Sequence, residues 1–394
     1  MNRQIRRVGL VVCACFVALF LQLNYLQVVS ASRLADHPRN VRAVLRDYSA
    51  PRGEILTPDG EVVARSTPVD DEFERQRAYP TGPLFGHVSG HFSFTVGATG
   101  VEQAYTADLA GRSPDLAFRN VGDWLIGKER VGDVVLSVTA AAQRTAQAAL
   151  GDRRGSVVVL DPATGQVLAL WSNPSYDPTP LAGHKSSEVQ AAYDALNTDP
   201  AKPMLPRAFR ERYPPGSTFK VVTAATALET GVATPERRFP SLRSLDLPQS
   251  DKVLRNFGSS SCGGTLTEAF RRSCNTSFAQ LGLDLGERLA EGAAAFGIGE
   301  NVPFDLNEAR SAGPKPGTFD RNQPSFANAA IGQGDVAVTP LQMAMVAGAI
   351  ANGGMLMAPH VVAEVRDPDG RVVRRLEPEE WKRAVSPATA GIVA

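Results

Sequence analysis

The chain is short of cysteine and histidine, and neither sign of charge is in excess. Of its 394 residues, 4 are Cys and 5 are His, and 41 Lys+Arg balance 41 Asp+Glu. A surface that binds nucleic acid needs an excess of positive charge, so this balance argues against nucleic acid as a partner. The sequence has no Cys/His cluster, phosphate loop or dinucleotide fingerprint, so we predict neither a metal site nor a cofactor.

Long apolar runs are equally rare, and the one that exists lies at the N-terminus. As a helix, residues 8–29 would be roughly 33 Å long, about the thickness of a bilayer core. Three arginines precede this run, so the positive-inside rule places residues 1–7 in the cytoplasm and the rest of the chain outside. We therefore expect a single-pass membrane anchor at 8–29. A cleaved signal peptide is the alternative, because Val29-Ser30-Ala31 resembles a cleavage site.

Two of the four cysteines, Cys262 and Cys274, lie in the part of the chain that we expect outside the cytoplasm. They are twelve positions apart, and an oxidising compartment would let them pair. Closing this loop would stabilise the fold by about 3 kcal/mol on the chain-entropy model. Two buried free thiols are the alternative.

Beyond the apolar run, the pattern predicts two α+β domains. Residues 33–150 are rich in loops and short alternating segments, whereas a β-hairpin followed by apolar helices begins near residue 155. The region 172–213 is rich in proline and indicates a loop. We predict strands at 51–56, 58–63, 134–138, 156–160, 166–171 and near 360–376, and helices at 139–150, 217–230, 276–287 and 339–351.

The sharpest chemical pattern is the S-x-x-K formed by Ser217 and Lys220. Pro214-Pro215-Gly216 predict a turn that places Ser217 near the start of a helix, where residues at i and i+3 share a face. A serine hydroxyl needs a neighbouring base to act as a nucleophile, and a lysine in apolar surroundings can supply one if its pKa falls toward roughly 7–8. A helix-capping serine beside a lysine whose amine reaches solvent is the alternative.

Two further segments are candidates for the same site. In Ser273-Cys274-Asn275, the hydroxyl of Ser273 can relay a proton and the amide of Asn275 can hold a substrate carbonyl, although a helix cap is the alternative. Gly332-Gln333-Gly334 predicts a tight loop with positive φ. That loop is either close to the substrate or a plain turn.

The order of S-x-x-K followed by S-x-N resembles the signature of the penicillin-recognising serine acyltransferases. Other segments make the chain resemble class B penicillin-binding proteins over nearly its whole length, and in particular the penicillin-binding protein A group of actinobacteria. These segments are Arg52-Gly53-Glu54-Ile55, Gly100-Val101-Glu102 with Tyr105, Gly165-Gln166-Val167-Leu168-Ala169, Asn173-Pro174-Ser175-Tyr176-Asp177-Pro178, residues 213–220, Gly332-Gln333-Gly334 and Thr339-Pro340-Leu341-Gln342.

The resemblance implies a transpeptidase domain at 155–394, related in fold to serine β-lactamases with an antiparallel sheet flanked by helices, on a non-catalytic pedestal domain at 33–150. It also implies the chemistry: Ser217 attacks a peptidoglycan stem peptide, Lys220 is the base, Ser273 relays the proton and Asn275 binds the substrate amide. β-Lactams would acylate Ser217, and a membrane glycosyltransferase would be a partner.

One departure from the family pattern concerns its third motif, Lys-Thr-Gly, which should follow the 339–351 helix. The nearest equivalent, Lys315-Pro316-Gly317-Thr318, precedes Gly332 and contains a proline that would remove a donor from a strand. We therefore expect the transpeptidase domain to be incomplete at its C-terminus. A non-catalytic envelope scaffold or β-lactam receptor, and a serine β-lactamase, are the alternative functions.

Overall fold

The computed structural model describes residues 2–25, 48–116 and 131–394. Contacts divide the chain into two compact units, one made of Met1–Ala50 with Pro68–Arg75 and the other of Pro51–Thr67 with Gln76–Ala394. The predicted end of the membrane anchor at residue 29 and the predicted start of the first domain at residue 33 lie outside the described residues.

The N-terminal apolar run forms a helix, α1, over Asn2–Asn24. It begins six residues before the predicted start of the anchor. Its segment Arg6–Asn24 has a mean hydropathy of 1.9 and is long and apolar enough to cross a membrane. No part of that segment is buried inside the protein. These properties match those of a membrane anchor.

The remaining helices are short or medium in length and alternate with short strands. The helices are α2 Gly86–Ser89, α3 Gly100–Ala104, α4 Thr106–Leu109, α5 Ala140–Leu150, α6 Ser186–Thr198, α7 Arg207–Arg210, α8 Lys220–Glu229, α9 Leu266–Arg271, α10 Asn275–Leu285, α11 Arg288–Ala295, α12 Gln323–Ala329, α13 Pro340–Ala351 and α14 Pro387–Val393. The strands are β1 Ile55–Leu56, β2 Val62–Pro68, β3 Arg75–Ala78, β4 Phe92–Ser93, β5 Gly97–Ala98, β6 Asp133–Leu136, β7 Gly155–Leu160, β8 Val167–Asn173, β9 Arg238–Leu242, β10 Ser244–Asp246, β11 Val253–Arg255, β12 Cys262–Thr265, β13 Met355–Met357, β14 Val362–Arg366, β15 Val372–Arg375 and β16 Glu380–Arg383.

The largest sheet joins distant parts of the sequence. Its strand order is β15-β14-β6-β1-β2-β3, and β14 pairs antiparallel with β6 so that Val365 faces Val134. The predicted strands near 360–376 therefore exist. They lie in the part of the sequence predicted as the second domain, yet β14 pairs with β6 of the first domain and β15 pairs with β14. Periodicity identifies a strand without identifying its partner, which explains the difference.

A buried ionic cluster lies beside this sheet. Glu102 is fully buried and accepts hydrogen bonds from Arg52 Nε at 2.7 Å and Arg77 Nε at 2.6 Å. Burial alone would raise the pKa of the Glu102 carboxyl, but Arg77 and Arg52 outweigh it and hold that pKa below its usual value. Arg52 also donates to the backbone carbonyl of Glu102 at 2.7 Å. Because Arg52 and Arg77 both bind its carboxylate, Glu102 links separate segments of the first domain.

The predicted hairpin is present and supports the helices of the second part. β7 and β8 pair antiparallel from Gly155 and Asn173 to Leu160 and Val167. Helix α5 packs on β8 and α13 packs on β7. Helix α8 packs against α10, α11, α13 and α14, and its apolar side chains join the hydrophobic core. The first residue of α8 therefore has a rigid support.

Two local predictions need correction. Residues 172–213 are not a continuous loop, because Ser186–Thr198 forms α6. Its apolar residues Val189, Ala192, Tyr193 and Leu196 follow helical spacing, although only Val189 is fully buried. The prolines on both sides of the segment favour a loop and conceal this signal. The predicted helix 217–230 begins instead at Lys220, after a 3₁₀ turn over Gly216–Phe219.

Candidate active site

The S-x-x-K segment lies where the 3₁₀ turn meets α8. Gly216 has φ of +59°, a conformation that favours glycine, and Ser217 follows it on the exposed side of the turn. Lys220 is the first residue of α8 and is only 1% exposed. Its Nζ lies 3.3 Å from Ser217 Oγ. An exposed hydroxyl is thus adjacent to a buried amine.

The amine of Lys220 is surrounded by neutral oxygen atoms. It donates to the carbonyl of Ser273 at 2.7 Å, to Ser273 Oγ at 2.9 Å and to Asn275 Oδ1 at 2.7 Å. The ring of Phe278 lies 5.5 Å away. Burial lowers the pKa of Lys220 to about 8, since the charged form loses water. Roughly a tenth of the amine is therefore unprotonated at pH 7, far more than for an ordinary lysine.

The S-x-N segment joins two helices through a sharp turn. α9 ends at Arg271, and Ser273 takes φ of +56°. Its N–H donates to the carbonyl of Phe270 at 2.9 Å. This left-handed position after a helix is usually filled by glycine, because other residues are strained there. The turn directs both the carbonyl and the hydroxyl of Ser273 at Lys220.

The two cysteines outside α1 stabilise this turn. Cys274, the central residue of S-x-N, is buried and forms a disulfide with Cys262, with a Cα–Cα distance of 5.5 Å. The next residue, Asn275, starts α10 and donates from Nδ2 to the carbonyl of Arg255 at 3.1 Å. One asparagine amide thus links Lys220 to the end of β11.

The glycine loop contacts the residue before Ser217. Gly332 and Gly334 have φ of +72° and +69°, as predicted for a tight loop. The carbonyl of Gly332 accepts a hydrogen bond from the N–H of Gly216 at 2.9 Å. Gln333 and Gly334 are exposed, and within the described ranges no hydrogen bond joins either of them to Ser217 or Lys220.

The structure therefore brings together Ser217, Lys220, Ser273 and Asn275, with Gly332 against the backbone beside Ser217. The carbonyl of Arg255 and the segment that follows it also border the site, and the sequence analysis missed them. A backbone acceptor leaves no mark in a sequence. The sequence offers one signal there, a single phenylalanine, Phe257, in an otherwise polar stretch.

The histidines offer no competing centre in the described part of the chain. His87 and His91 are buried, and burial lowers the pKa of each to about 4. His87 Nε2 contacts the carbonyl of Pro203 at 2.7 Å, which ties it to a neighbouring loop. Among the described residues, no group of three or more His, Cys, Asp or Glu side chains is arranged to hold a metal ion.

Comparison with known families agrees with this geometry. Residues 155–394 match the penicillin binding protein transpeptidase domain, and residues 52–135 match the penicillin binding protein A dimerisation domain. The chain belongs to the penicillin-binding protein transpeptidase family. The family predicted from the sequence motifs is thus confirmed, as is the α+β fold class.

Individual relatives are similar over nearly the whole chain. Peptidoglycan D,D-transpeptidase PbpA of Mycolicibacterium smegmatis is 40% identical over 403 residues, which cover 99% of this chain and 81% of the relative. PbpA of Mycobacterium tuberculosis is 39% identical over 404 residues, with the same coverage.

Solved structures of the same family are also similar. The imipenem acyl-enzyme complex of penicillin-binding protein A from M. tuberculosis has a TM-score of 0.82 and 36% identity, covering 89% of this chain and 82% of that one. The penicillin G acyl-enzyme complex has a TM-score of 0.81 and 36% identity, covering 87% and 80%. These relatives form covalent adducts with β-lactams.

Proposed function

We propose that this chain is a D,D-transpeptidase that cross-links peptidoglycan stem peptides through an acyl-enzyme on Ser217. The observation that carries the proposal is the pairing of an exposed serine hydroxyl with a buried lysine amine, 3.3 Å apart, whose pKa burial lowers to about 8. An amine of that pKa can accept the proton of an attacking hydroxyl near neutral pH.

In the acylation step, Ser217 Oγ attacks the carbonyl carbon of the penultimate D-Ala of a stem peptide. Its proton moves to the unprotonated Nζ of Lys220. The bond to the terminal D-Ala then breaks, and the leaving amine takes up a proton through the hydroxyl of Ser273, which lies 2.9 Å from Nζ. The N–H of Ser217 supplies one donor to the developing oxyanion. The products are free D-Ala and an ester on Ser217.

The second step resolves that ester. The amine of a neighbouring stem peptide attacks the acyl carbon and loses a proton to the neutral Nζ of Lys220. A new amide bond forms, the ester bond breaks, and Ser217 Oγ takes that proton from Lys220. Asn275 contributes by position: its Oδ1 holds Lys220 and one Nδ2 hydrogen donates to Arg255. The second Nδ2 hydrogen can then donate to a substrate carbonyl. A β-lactam enters the same pathway, because opening its ring leaves an ester on Ser217.

The N-terminal helix and the family membership suggest a membrane-anchored protein. The three arginines at its start support an orientation with residues 1–7 in the cytoplasm and the catalytic residues outside. Peptidoglycan lies on that side of the membrane. The proposed partner is a membrane glycosyltransferase, which extends the glycan strands whose stem peptides this chain would cross-link.

The test is covalent labelling of the detergent-solubilised full chain with a fluorescent penicillin, followed by peptide mapping. We expect label on Ser217 in the wild type and none in Ser217→Ala. Ser187→Ala, which removes an exposed hydroxyl on α6, is the matched control and should label normally.

The outcomes also separate the alternative functions. Absence of label from the correctly folded wild type would favour a non-catalytic scaffold and overturn the proposal. Rapid turnover of a chromogenic β-lactam would indicate a β-lactamase instead. Stable label on Ser217, with release of D-Ala from a stem-peptide analogue, supports the transpeptidase.

A further inference from the structure

A cavity of about 470 Å³ lies outside the candidate active site, and neither Ser217 nor Lys220 lines it. One wall comes from residues 86–104, within the match to the dimerisation domain. The other wall comes from residues 176–210 and 305–307, within the match to the transpeptidase domain. Both walls belong to the same compact unit of the chain. A volume of roughly 300–1,000 Å³ is usual for a small-molecule site, so this cavity is large enough to hold a ligand.

The walls of the cavity are largely apolar and aromatic. Tyr176 and Phe209 are buried, whereas Tyr193 and Met204 are half-buried. The ring of Phe209 packs edge-on against Phe304, with the two ring centroids 5.6 Å apart. Aromatic rings that are already held in place bind an apolar group at a low cost in conformational entropy.

His91, a polar residue of the cavity wall, is only 3% exposed. Its Nδ1 lies 3.2 Å from Thr99 Oγ1 and 3.4 Å from the hydroxyl of Tyr176. Its Nε2 has no hydrogen-bond partner among the described residues. Thr99 Oγ1 already accepts a hydrogen bond from the backbone N–H of His91, so the threonine proton can go to Nδ1. The ring hydrogen is then on Nε2.

The imidazole of His91 is uncharged near neutral pH, because burial lowers its pKa to about 4. Its Nε2–H is therefore a neutral donor that is buried and unpaired. Such a donor costs free energy in the free protein, and a ligand that supplies an oxygen acceptor removes that cost.

Among the described residues that line the cavity, only Arg210 and Asp305 carry charged side chains. Asp305 accepts hydrogen bonds from the N–H groups of Val361 and Val362 at 2.9 and 3.2 Å, so its carboxylate is already satisfied. Arg210 is exposed, and its Nη1 donates to the carbonyl of Asn307 at 3.3 Å. Because a guanidinium has five N–H donors, Arg210 can still bind a carboxylate.

We propose that this cavity binds the C-terminal end of a short apolar peptide, or an N-acylated amino acid of the same chemistry. The acyl carbonyl accepts a hydrogen bond from His91 Nε2, and the apolar side chain packs on Tyr176 and Phe209. The carboxylate pairs with Arg210. The site lies outside the candidate active site, so the proposal does not depend on the function of Ser217.

The test is binding of N-acetyl-L-phenylalanine to the detergent-solubilised full chain, measured by isothermal titration calorimetry. We expect a dissociation constant of about 0.1–1 mM, which is typical for a ligand of this size. Ser217→Ala should bind equally well. N-acetyl-L-phenylalaninamide lacks the carboxylate and should bind about tenfold more weakly. N-acetyl-D-alanyl-D-alanine represents the end of a stem peptide, and the tighter binder of the two acids identifies the source of the ligand.

Variants of the cavity wall test the two polar contacts separately. Arg210→Gln should weaken binding of N-acetyl-L-phenylalanine about tenfold. Arg212→Gln is the matched control, because Arg212 is also exposed and donates to a backbone carbonyl, that of Arg310, but does not line the cavity. His91→Phe keeps a ring and removes the donor, and it should weaken binding of the acid and the amide by the same factor, about threefold to tenfold.

Thermal unfolding shows whether each variant is folded, and Arg210→Gln keeps the test decisive if His91→Phe is not. No binding of either acid at concentrations far above the expected dissociation constant would overturn the inference. Equal affinity of Arg210→Gln and Arg212→Gln would also overturn it, as would loss of binding in Ser217→Ala, which would place the ligand at the candidate active site. Failure of penicillin to label Ser217 would leave these results unaffected, so the inference and the proposed function fail separately.

Discussion

The N–H of Gly216 donates to the carbonyl of Gly332 at 2.9 Å, which links the residue before the candidate nucleophile to a loop more than a hundred positions later. The two backbones approach so closely that a Cβ on residue 332 would lie 2.1 Å from the Gly216 carbonyl oxygen. The glycine loop therefore acts on the site through its backbone.

Replacement of Gly332 by alanine should impair acylation more than folding. The added Cβ must displace Gly216 and, with it, the hydroxyl of Ser217, and a shift of about 1 Å at a reacting group can cost on the order of a hundredfold in rate. Stopped-flow acylation by penicillin G measures this. Gly231→Ala is the control, because it shares a positive φ but has open space around it. Equal acylation rates in the two variants would contradict the prediction.

The rate of acylation should rise with pH, reach half of its maximum near the Lys220 pKa of about 8 and level off above that pH. Lys220 is active when unprotonated, and burial lowers its pKa to about 8, so the active fraction grows as pH increases through that value. Second-order acylation rates between pH 6 and 9.5 measure the curve. Lys220→Arg keeps a charge that does not titrate in this range and should be nearly inactive at every pH. A wild-type rate that is independent of pH across this window would count against Lys220 as the base.

Removal of the disulfide should weaken both the fold and the reaction. Replacing Cys262 and Cys274 together by alanine frees the turn at Ser273, and on the chain-entropy model the loss for a loop of this length is about 3 kcal/mol. Urea unfolding gives the stability, and penicillin G acylation gives the rate. Cys13→Ala, which alters a free cysteine in α1, should leave both unchanged. Wild-type stability of the double variant would show that the bridge has no structural role.

The buried carboxylate of Glu102 should be essential for stability. Glu102→Gln leaves Arg52 and Arg77 buried without their counter-charge, which typically costs about 3–5 kcal/mol. Because these arginines lower the pKa of Glu102, the wild type should also lose this stability as the pH falls through that depressed value. Glu61→Gln breaks a largely exposed pair with Arg144 and should cost far less, because water screens exposed pairs. Thermal unfolding compares the two, and similar losses would refute the prediction.

Sequence reasoning was most successful where the chemistry is local. Ser217 and Lys220 are three residues apart at a helix start, so their proximity follows from helix geometry. The hairpin of β7 and β8 follows from alternation around a turn. The meeting of Ser273 and Asn275 with Lys220 rested on family resemblance, since nothing local joins residues that are 53 and 55 positions from Lys220.

The remaining features depend on tertiary structure. The carbonyl of Arg255 binds Asn275 only because β11 lies beside α10, and no side chain marks that acceptor. Helix α6 has an apolar face with helical spacing, but it lies between proline-rich segments that predict a loop. Strands β14 and β15 were recognised, but their partner β6 lies in the other half of the chain, and pairing at that range has no signature in a single sequence.

The six-stranded sheet combines strands from the beginning and the end of the chain, and this has a consequence for biosynthesis. Arg374 on β15 pairs with Asp108, 266 positions earlier, and β14 covers the edge of β6. A ribosome that has completed four of the six strands must still translate more than half of the protein before that edge is covered. Until then the edge of β6 is unpaired in the nascent polypeptide and can pair with a strand of another chain. We also expect this sheet to fold slowly, because strand pairs that are far apart in the sequence form slowly.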